Sequence, residues 1–381
     1  MNREGQNISR ELTQGHRHGN RRRGLLTALL PTLVERVRPL VDSRARASCQ
    51  PFGDAELMKP HLTSRLWGWA HFGAFLPDLP EPFRYLNTMT FIGTTGTSAF
   101  DNGELAAADV RDNATVLTST AHDDMYFYRA YDGASDCRFD RDGHHLQWGD
   151  NLTWEAEHPV YTITGRYRTF EVDLELRTSE QVSYFVRTPV YDHFSVLAPY
   201  VGTITHNGET TEITGLGTIE YGRCVSPQSF ARRPLPPRVR LPVDFFTYQV
   251  IRIDATTQVL LSNVRVAGGT ACLMAHVRST TRPASVVEKG VTFTVVRYHE
   301  THAVDPVGRR MRIPHEIEWY VPGYGHIHGF VDSPLRYGHG LGYVGCYSFT
   351  GLWSDEPVSG TGYLEWIDVQ HEGSVARGAS V

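Results

Sequence analysis

The chain has 381 residues, of which 40% are hydrophobic and 21% are charged, a composition typical of folded globular proteins and a length that suits two domains. Its 37 lysines and arginines are outnumbered by 42 aspartates and glutamates, and no basic stripe recurs along the body of the chain, so we expect no nucleic-acid partner. The five cysteines are scattered and lack the C-x-x-C spacing of zinc and redox sites, so we expect reduced thiols.

The N-terminal region divides into two parts. Residues 1–24 are polar and rich in histidine and arginine, which predicts a disordered tail. Residues 25–45 place Leu26, Leu29, Leu30 and Leu33 at three- and four-residue intervals, which predicts an amphipathic helix. Two interpretations stay open, a helix packed on the β domains or a basic helix with residues 25–41 in peripheral contact with a membrane.

No export or membrane-spanning segment is predicted. The apolar run after Arg23 stops at Glu35, and no small-residue cleavage site follows it. No stretch approaches the roughly 20 apolar residues of a membrane span. We therefore predict a cytoplasmic location.

From about residue 60 the sequence becomes a series of short runs rich in Thr, Val, Tyr, Phe and Ile, separated by Gly, Pro, Asn and Asp. Such runs predict strands. The segment from Tyr167 to Leu176 alternates apolar and acidic residues, which is typical of a strand with one buried and one wet face. Asn207-Gly208 and Gly268-Gly269 predict tight hairpin turns. Because no helices separate the strands, we predict an all-β protein of antiparallel barrels or sandwiches.

The chain contains an internal repeat. Tyr200-Val201-Gly202 is followed by Gly215-Leu216-Gly217-Thr218-Ile219-Glu220-Tyr221, and Tyr343-Val344-Gly345 is followed by Gly360-Thr361-Gly362-Tyr363-Leu364-Glu365-Trp366. Residues 226–242 form a Pro- and Arg-rich linker, with four prolines and four arginines from Arg232 onward that cannot continue a sheet. We therefore predict two related β domains in tandem, over residues 60–225 and 243–372.

These motifs resemble the carotenoid 1,2-hydratase (hydroxyneurosporene synthase) and AttH-like family. The run from Phe245 to Val250, with Gln258 to Leu261, looks like the family's aromatic strand and its partner. The run from Val358 to Glu365 is similar to its last strand. The likeness spans about residues 140–370 and implies two tandem lipocalin-like (calycin-type) β domains with a short N-terminal helix.

One departure from the family concerns chemistry. Where the family has a Trp, an Asp-His pair and a Trp-Gly near the end of its first domain, this chain has Ile219-Glu220-Tyr221-Gly222. The acid is kept, and the histidine is replaced by Tyr221. The resemblance therefore implies an apolar isoprenoid, steroid or polyketide ligand more firmly than one reaction.

Glu220 and Tyr221 are the predicted catalytic residues. A carboxylic acid in an apolar barrel mouth would have a raised pKa and could protonate an alkene, and aromatic rings could stabilise the cation. The alternative is that Glu220 is a structural acid at the domain interface, as Glu365 would be by symmetry. The candidate ligand-binding residues, each of which could instead be plain core, are Trp67, Trp69, Tyr126, Tyr128, His193 and Trp353.

Other motifs are weaker. The G-x-G-x-x-G from Gly340 to Gly345 is followed by a strand-like sequence instead of the helix that dinucleotide binding requires, so no cofactor is predicted. His326, His328 and His339 lack a carboxylate at ligand spacing, so no metal is predicted.

Two hypotheses remain, a cofactor-independent hydratase, isomerase or cyclase and a non-catalytic carrier of lipophilic molecules. An isolated buried carboxyl group in the pocket favours the enzyme, and a pocket whose acids are all paired favours the carrier.

Overall fold

A computed structural model describes residues 41–53, 58–62, 64 and 66–369. The predicted tail over 1–24 lies outside these residues, and so does most of the predicted helix over 25–45. Within the described part the helices are α1 (Arg44–Ala47) and two 3₁₀ turns, Pro227–Phe230 and Pro237–Val239. None of these described helices has the length and apolar character needed to cross a membrane.

The first sheet contains twelve strands among the described residues. They are β1 (Trp67–Pro77), β2 (Tyr85–Ile92), β3 (Asn113–Ser119), β4 (Tyr126–Asp132), β5 (Cys137–Phe139), β6 (His145–Trp148), β7 (Leu152–Glu157), β8 (Val160–Arg166), β9 (Phe170–Arg177), β10 (Val182–Thr188), β11 (Tyr191–His206) and β12 (Glu209–Val225). The predicted alternation is confirmed on β9, where Phe170, Val172, Leu174 and Leu176 are buried while Glu171 and Glu175 are exposed.

The remaining strands form a ten-stranded sheet and a small two-stranded one within the described chain. They are β13 (Val243–Arg252), β14 (Thr257–Val266), β15 (Gly269–Ser279), β16 (Ser285–Val287), β17 (Thr292–Tyr298), β18 (Ala303–Val304), β19 (Arg310–Met311), β20 (Pro314–Val321), β21 (Gly325–Phe330), β22 (Arg336–His339), β23 (Gly342–Trp353) and β24 (Glu356–Asp368). Strands β18 and β19 pair with each other, and the other ten form the second large sheet.

The two large sheets share one topology. The order β3-β2-β1-β12-β11-β9-β8-β7 in the first matches β15-β14-β13-β24-β23-β21-β20-β17 in the second. The short strands β10 and β22 pair beside β11 and β23 in the same way. The repeated motif thus occupies equivalent strands, β12 and β24. The predicted all-β class with two tandem β domains is confirmed.

Tight turns set the register of the long hairpins. Asn207 and Gly208 both have positive φ, 52° and 82°, as a two-residue type I′ turn between β11 and β12 requires. In the β14–β15 hairpin the two turn residues are Ala267 and Gly268, with Val266 paired to Gly269, so the turn lies one residue earlier than the predicted Gly268-Gly269.

Three apolar clusters hold the fold together. One fills the first domain and includes Phe72, Trp154 and Tyr221. A second fills the other domain and includes Trp319 and Trp366. The third lies between the two sheets, with members from both, including Phe75, Phe185, Tyr248, Val344 and Tyr363. The two domains are therefore joined through buried apolar surface as well as through the linker.

Candidate functional site

A cavity of about 490 Å³ lies between the two sheets, within the size range of small-molecule sites. Its walls are largely aromatic and aliphatic, with Trp69, Phe91, Phe100, Phe185, Phe246 and Val264 among them. Val41 and Asp42, which precede α1, and Arg44, its first residue, also border the cavity. The mainly apolar lining favours an apolar ligand.

The repeat places two carboxyl groups in this cavity. On β12, Tyr221 packs in the core of the first domain, so the alternation turns its neighbour Glu220 toward the second domain. On β24, Trp366 packs in the second core and Glu365 faces the cavity in the same manner. Glu220 is 3% exposed and Glu365 is 1% exposed. The cavity therefore has an acidic residue from each domain.

Two histidines from the neighbouring strands meet Glu220. His193 Nε2 on β11 lies 2.8 Å from Glu220 Oε1, and His71 Nε2 on β1 lies 3.3 Å from the same oxygen. His71 Nδ1 lies 2.8 Å from the carbonyl oxygen of Thr90 and must donate to it, because a carbonyl only accepts. The other ring nitrogen of His71, Nε2, faces Glu220. Two imidazoles thus lie beside one carboxylate oxygen at the cavity wall.

Glu220 is the ionised carboxyl group of the pair. Burial alone would raise its pKa, but His193 and His71 together outweigh burial and lower the pKa to about 2. The expectation of a raised pKa at Glu220 is therefore wrong, because the sequence does not show that β1 and β11 bring histidines to either side of it. Glu220 Oε2 is buried and has no hydrogen-bond partner among the described residues, so this oxygen is available to a ligand.

Glu365 has the opposite character. Burial, and then the negative charge of Glu220, raise the pKa of Glu365 well above its ordinary value, which favours its protonated form. The Tyr363 hydroxyl donates to Glu365 Oε1 over 2.9 Å. His339 Nε2 lies 3.3 Å from Glu365 Oε2, and burial lowers the pKa of His339 to about 3, so this imidazole is neutral. The cavity thus combines a protonated and an ionised carboxyl group, the usual arrangement of a general acid and a general base.

The Glu220 cluster also has the composition of a metal site. Ligand atoms of His71, His193 and Glu220 lie within 4.8 Å of one another, which is close enough to hold a divalent cation. The 2.8 Å separation of His193 and Glu220 is also that of an N–H···O hydrogen bond, so these groups satisfy one another without an ion. Of the histidines considered from the sequence, His328 pairs instead with Glu316 at 2.7 Å, and His339 lines the cavity.

Three of the predicted site residues, Glu220, His193 and Trp69, line this cavity. Tyr221 lies behind it, with its ring in the first core and its hydroxyl donating to the Lys59 carbonyl over 2.7 Å. The G-x-G-x-x-G glycines run from the end of β22 into strand β23, as the strand-like sequence indicates.

The other four predicted wall residues lie elsewhere. Trp67 stacks under Arg223, with 4.4 Å from the guanidinium carbon to the ring centroid. Trp353 stacks on Tyr324 in the second core, with 5.1 Å between ring centroids. The Tyr126 hydroxyl donates to the Tyr337 carbonyl over 2.7 Å, and the Tyr128 hydroxyl accepts from Asn102 over 2.7 Å.

Sequence reasoning missed His71 and gave Glu365 only a structural role. His71 shares the cavity face of β1 with Trp69, two residues before it, and that spacing was the available signal. For Glu365 the signal was the repeat itself. The equivalence of β12 and β24 implies that both acids face the same interface.

Comparison with solved structures shows the same fold elsewhere. A putative AttH from Nitrosomonas europaea aligns with 84% of this chain and 98% of its own length, at a TM-score of 0.57 and 14% identity. Kievitone hydratase from Nectria haematococca aligns with 84% of this chain and 93% of its own length, at a TM-score of 0.53 and 14% identity. The predicted AttH-like fold is therefore confirmed.

Sequence comparison places the chain in one family. No curated protein matches it in sequence. Residues 89–378 match a family described as a family of unknown function, DUF6670. This match covers most of the chain, including β3 to β24 and both carboxyl groups of the cavity. The chain therefore belongs to the DUF6670 family.

Proposed function

We propose that the cavity binds an apolar isoprenoid, steroid or polyketide and hydrates, isomerises or cyclises it by cofactor-free proton transfer. The observation that carries the proposal is the pairing of protonated Glu365 with ionised Glu220 in one enclosed, mainly apolar cavity. The fold is shared with a protein named as a hydratase, which agrees with hydration as one of the reactions.

In this scheme Glu365 is the proton donor. It gives its proton to a double bond or carbonyl group of the ligand and becomes a carboxylate. The positive charge left on the ligand faces the rings of Trp69, Phe91 and Phe246, which stabilise it through their electron-rich faces.

Glu220, with His193, is the proton acceptor. In hydration it takes a proton from the attacking water, and in isomerisation or ring closure it takes one from a neighbouring carbon. One proton is given and one is taken, and exchange with solvent returns both carboxyl groups to their starting states. Tyr221 has no part in this step because it faces the first core.

A non-catalytic carrier is the second candidate. It is favoured by the pairing of both cavity acids, Glu220 Oε1 with His193 and Glu365 Oε1 with Tyr363, since an acid already satisfied within the protein needs no substrate. The two candidates differ in one observable, because a carrier returns its ligand chemically unchanged.

The experiment is isotope incorporation. The full chain is purified, the lipid extract that copurifies is identified by mass spectrometry, and the protein is incubated with that lipid in D₂O and in H₂¹⁸O. The wild type is expected to incorporate deuterium or ¹⁸O into the ligand, and Glu365→Gln to do so about 100-fold more slowly with unchanged ligand binding. Glu212→Gln, an exposed acid on the same strand as Glu220, is the matched control.

Two results would contradict catalysis by cofactor-free proton transfer. Tight binding without any isotope incorporation would leave the carrier as the function. Incorporation that is lost with a chelator and restored by a divalent cation would assign the His71, His193 and Glu220 cluster to a metal instead of to proton transfer.

We also propose a membrane contact through residues 25–41, in keeping with a cytoplasmic protein that takes up an apolar ligand. Val41, the first described residue, borders the cavity and is 51% exposed. Co-flotation with anionic liposomes is expected for the wild type and should weaken when Leu29 and Leu33 are replaced by serine. Equal flotation of both proteins would contradict this contact.

A further inference from the structure

Two hydroxyl groups in the wall of the cavity lack a hydrogen-bond partner among the described residues. They are Tyr248 Oη and Ser262 Oγ, and each residue is 2% exposed. Buried hydroxyl groups in native proteins are nearly always bonded, and leaving one unpaired destabilises the fold. Because Tyr248 and Ser262 line the cavity, a bound ligand can supply the missing partner.

The two residues form one polar row with Glu365. Tyr248 on β13 is directly opposite Glu365 on β24 and directly opposite Ser262 on β14. Residues directly opposite on adjacent strands point to the same face of a sheet, with their Cβ atoms about 5 Å apart. A ligand that lies along this row is thus beside Tyr248, Ser262 and the acid.

The surroundings of Ser262 make a structural role unnecessary. Its neighbours on the same face of β14 are Leu260 and Val264, both apolar, and Leu260 is fully buried. An alanine at position 262 would continue this apolar stripe. A serine there adds one hydroxyl group to the cavity wall, and that hydroxyl makes no hydrogen bond within the described protein.

Tyr248 is approached from the facing sheet by Ser195, but that hydroxyl has other partners. Ser195 Oγ is hydrogen-bonded to Thr218 Oγ1 and accepts from Arg278 Nη1 over 3.1 Å. The hydroxyl of Tyr248 makes no hydrogen bond of normal geometry with it. Tyr248, like Ser262, can therefore donate to a ligand.

We infer that Tyr248 and Ser262 form a polar subsite for a hydroxyl or carbonyl oxygen of the ligand. The inference rests on the proposed function and narrows its ligand to an oxygenated isoprenoid, steroid or polyketide instead of a pure hydrocarbon. A carbonyl oxygen of the ligand would accept from either hydroxyl group, and a ligand hydroxyl group could donate to either or accept from it. The oxygenated end of the ligand would lie beside Glu365, where the proton is delivered.

The test compares ligands that differ by one oxygen. An environment-sensitive dye bound to the full chain is displaced by 5α-androstan-3-one or by 5α-androstane, and in a second pair by 3,7,11-trimethyldodecan-1-ol or by farnesane. In at least one pair the oxygenated member is expected to bind the wild type about tenfold more tightly or better, since buried polar groups discriminate strongly against a ligand that leaves them unpaired.

Variants locate the preference. Ser262→Ala, Tyr248→Phe or both should bring the ratio of the two affinities toward one. Neither variant should lower the melting temperature, because neither hydroxyl bonds within the protein. The matched controls are Ser183→Ala and Tyr347→Phe, which remove buried and equally unpartnered hydroxyl groups outside the cavity lining. Both controls should keep the wild-type ratio.

The results separate the two proposals. If the dye binds and both members of each pair displace it equally, the polar subsite is overturned and the apolar cavity stands. The same conclusion follows if the dye binds and none of the four compounds displaces it. A preference that survives in both Ser262→Ala and Tyr248→Phe also overturns it. Failure of the dye to bind the wild type overturns the subsite together with the proposed function.

Discussion

Replacing Glu220 with glutamine removes the charge between His71 and His193 while keeping the size of the side chain. In the folded protein the two imidazoles lower the pKa of Glu220 from the ordinary 4.5 to about 2. Because each unit of pKa corresponds to about 1.4 kcal/mol, this difference stabilises the fold by about 3 kcal/mol at neutral pH. Glu220→Gln is therefore expected to lose about 3 kcal/mol of unfolding free energy at pH 7.

The loss should depend on pH with a definite sign. The native pKa of Glu220 lies below the value of 4.5 in the unfolded chain, so the native state binds fewer protons than the unfolded state between the two values. The stabilisation is complete above about pH 5 and is lost as the pH falls from 4.5 toward 2. The gap between wild type and Glu220→Gln should shrink as the pH falls from 5 toward 2.

Urea unfolding followed by tryptophan fluorescence measures this gap, because Trp148 and Trp154 are buried in the first core. Glu212→Gln changes the net charge equally on the same strand, at an exposed position, and should stay within about 0.5 kcal/mol of wild type at every pH. A Glu220→Gln gap that is absent at pH 7, or equally large at pH 3.5, would refute the assignment of an ionised, histidine-paired Glu220.

Three further predictions concern other parts of the site and fold. In the same unfolding assay, Glu365→Gln should gain stability relative to wild type as the pH rises from 5 to 8. A carboxyl group with a raised native pKa contributes stability below the unfolded pKa of 4.5 and loses it as the pH rises. A stability difference that does not change with pH would contradict a protonated Glu365. Arg44→Ala removes hydrogen bonds to the Phe185 carbonyl at 2.8 Å and to Glu288 at 2.9 Å, so it should lower the free energy of unfolding by about 1–3 kcal/mol. It should also speed dye release in stopped-flow fluorescence, and an unchanged release rate would show that Arg44 does not restrict the cavity. Trp366→Ala should lower the free energy of unfolding in urea by about 3–5 kcal/mol, because the ring is fully buried in the second core and its Nε1 donates to the Arg312 carbonyl over 2.8 Å. A decrease below about 1 kcal/mol would contradict that packing.

The fold could be predicted because its signals are local. Alternation over β9 identifies a half-buried strand from about ten residues, and Asn207-Gly208 identifies a hairpin from two. The repeat around Glu220 and Glu365 predicts two related domains for the same reason. Each of these patterns depends on neighbours in sequence, where period and turn chemistry are readable.

The site was predicted only in part because its contacts are long-range. Glu220 was identified from its motif, but its protonation state depends on His71, which lies 149 residues away in sequence, and on His193, 27 residues away. Strand order decides which histidines meet the acid, and one sequence does not show strand order. Trp67 and Trp353 were equally plausible wall residues by composition, and only the register places them outside the cavity.

The protonation states of the two carboxyl groups can be observed by infrared difference spectroscopy at pH 7.5, through the C=O stretch of a buried protonated carboxyl group. We expect this band in the wild type and in Glu220→Gln and expect Glu365→Gln to lack it. A wild type without the band, or a band that is lost in Glu220→Gln and kept in Glu365→Gln, would contradict the assignment of Glu365 as the acid and Glu220 as the base.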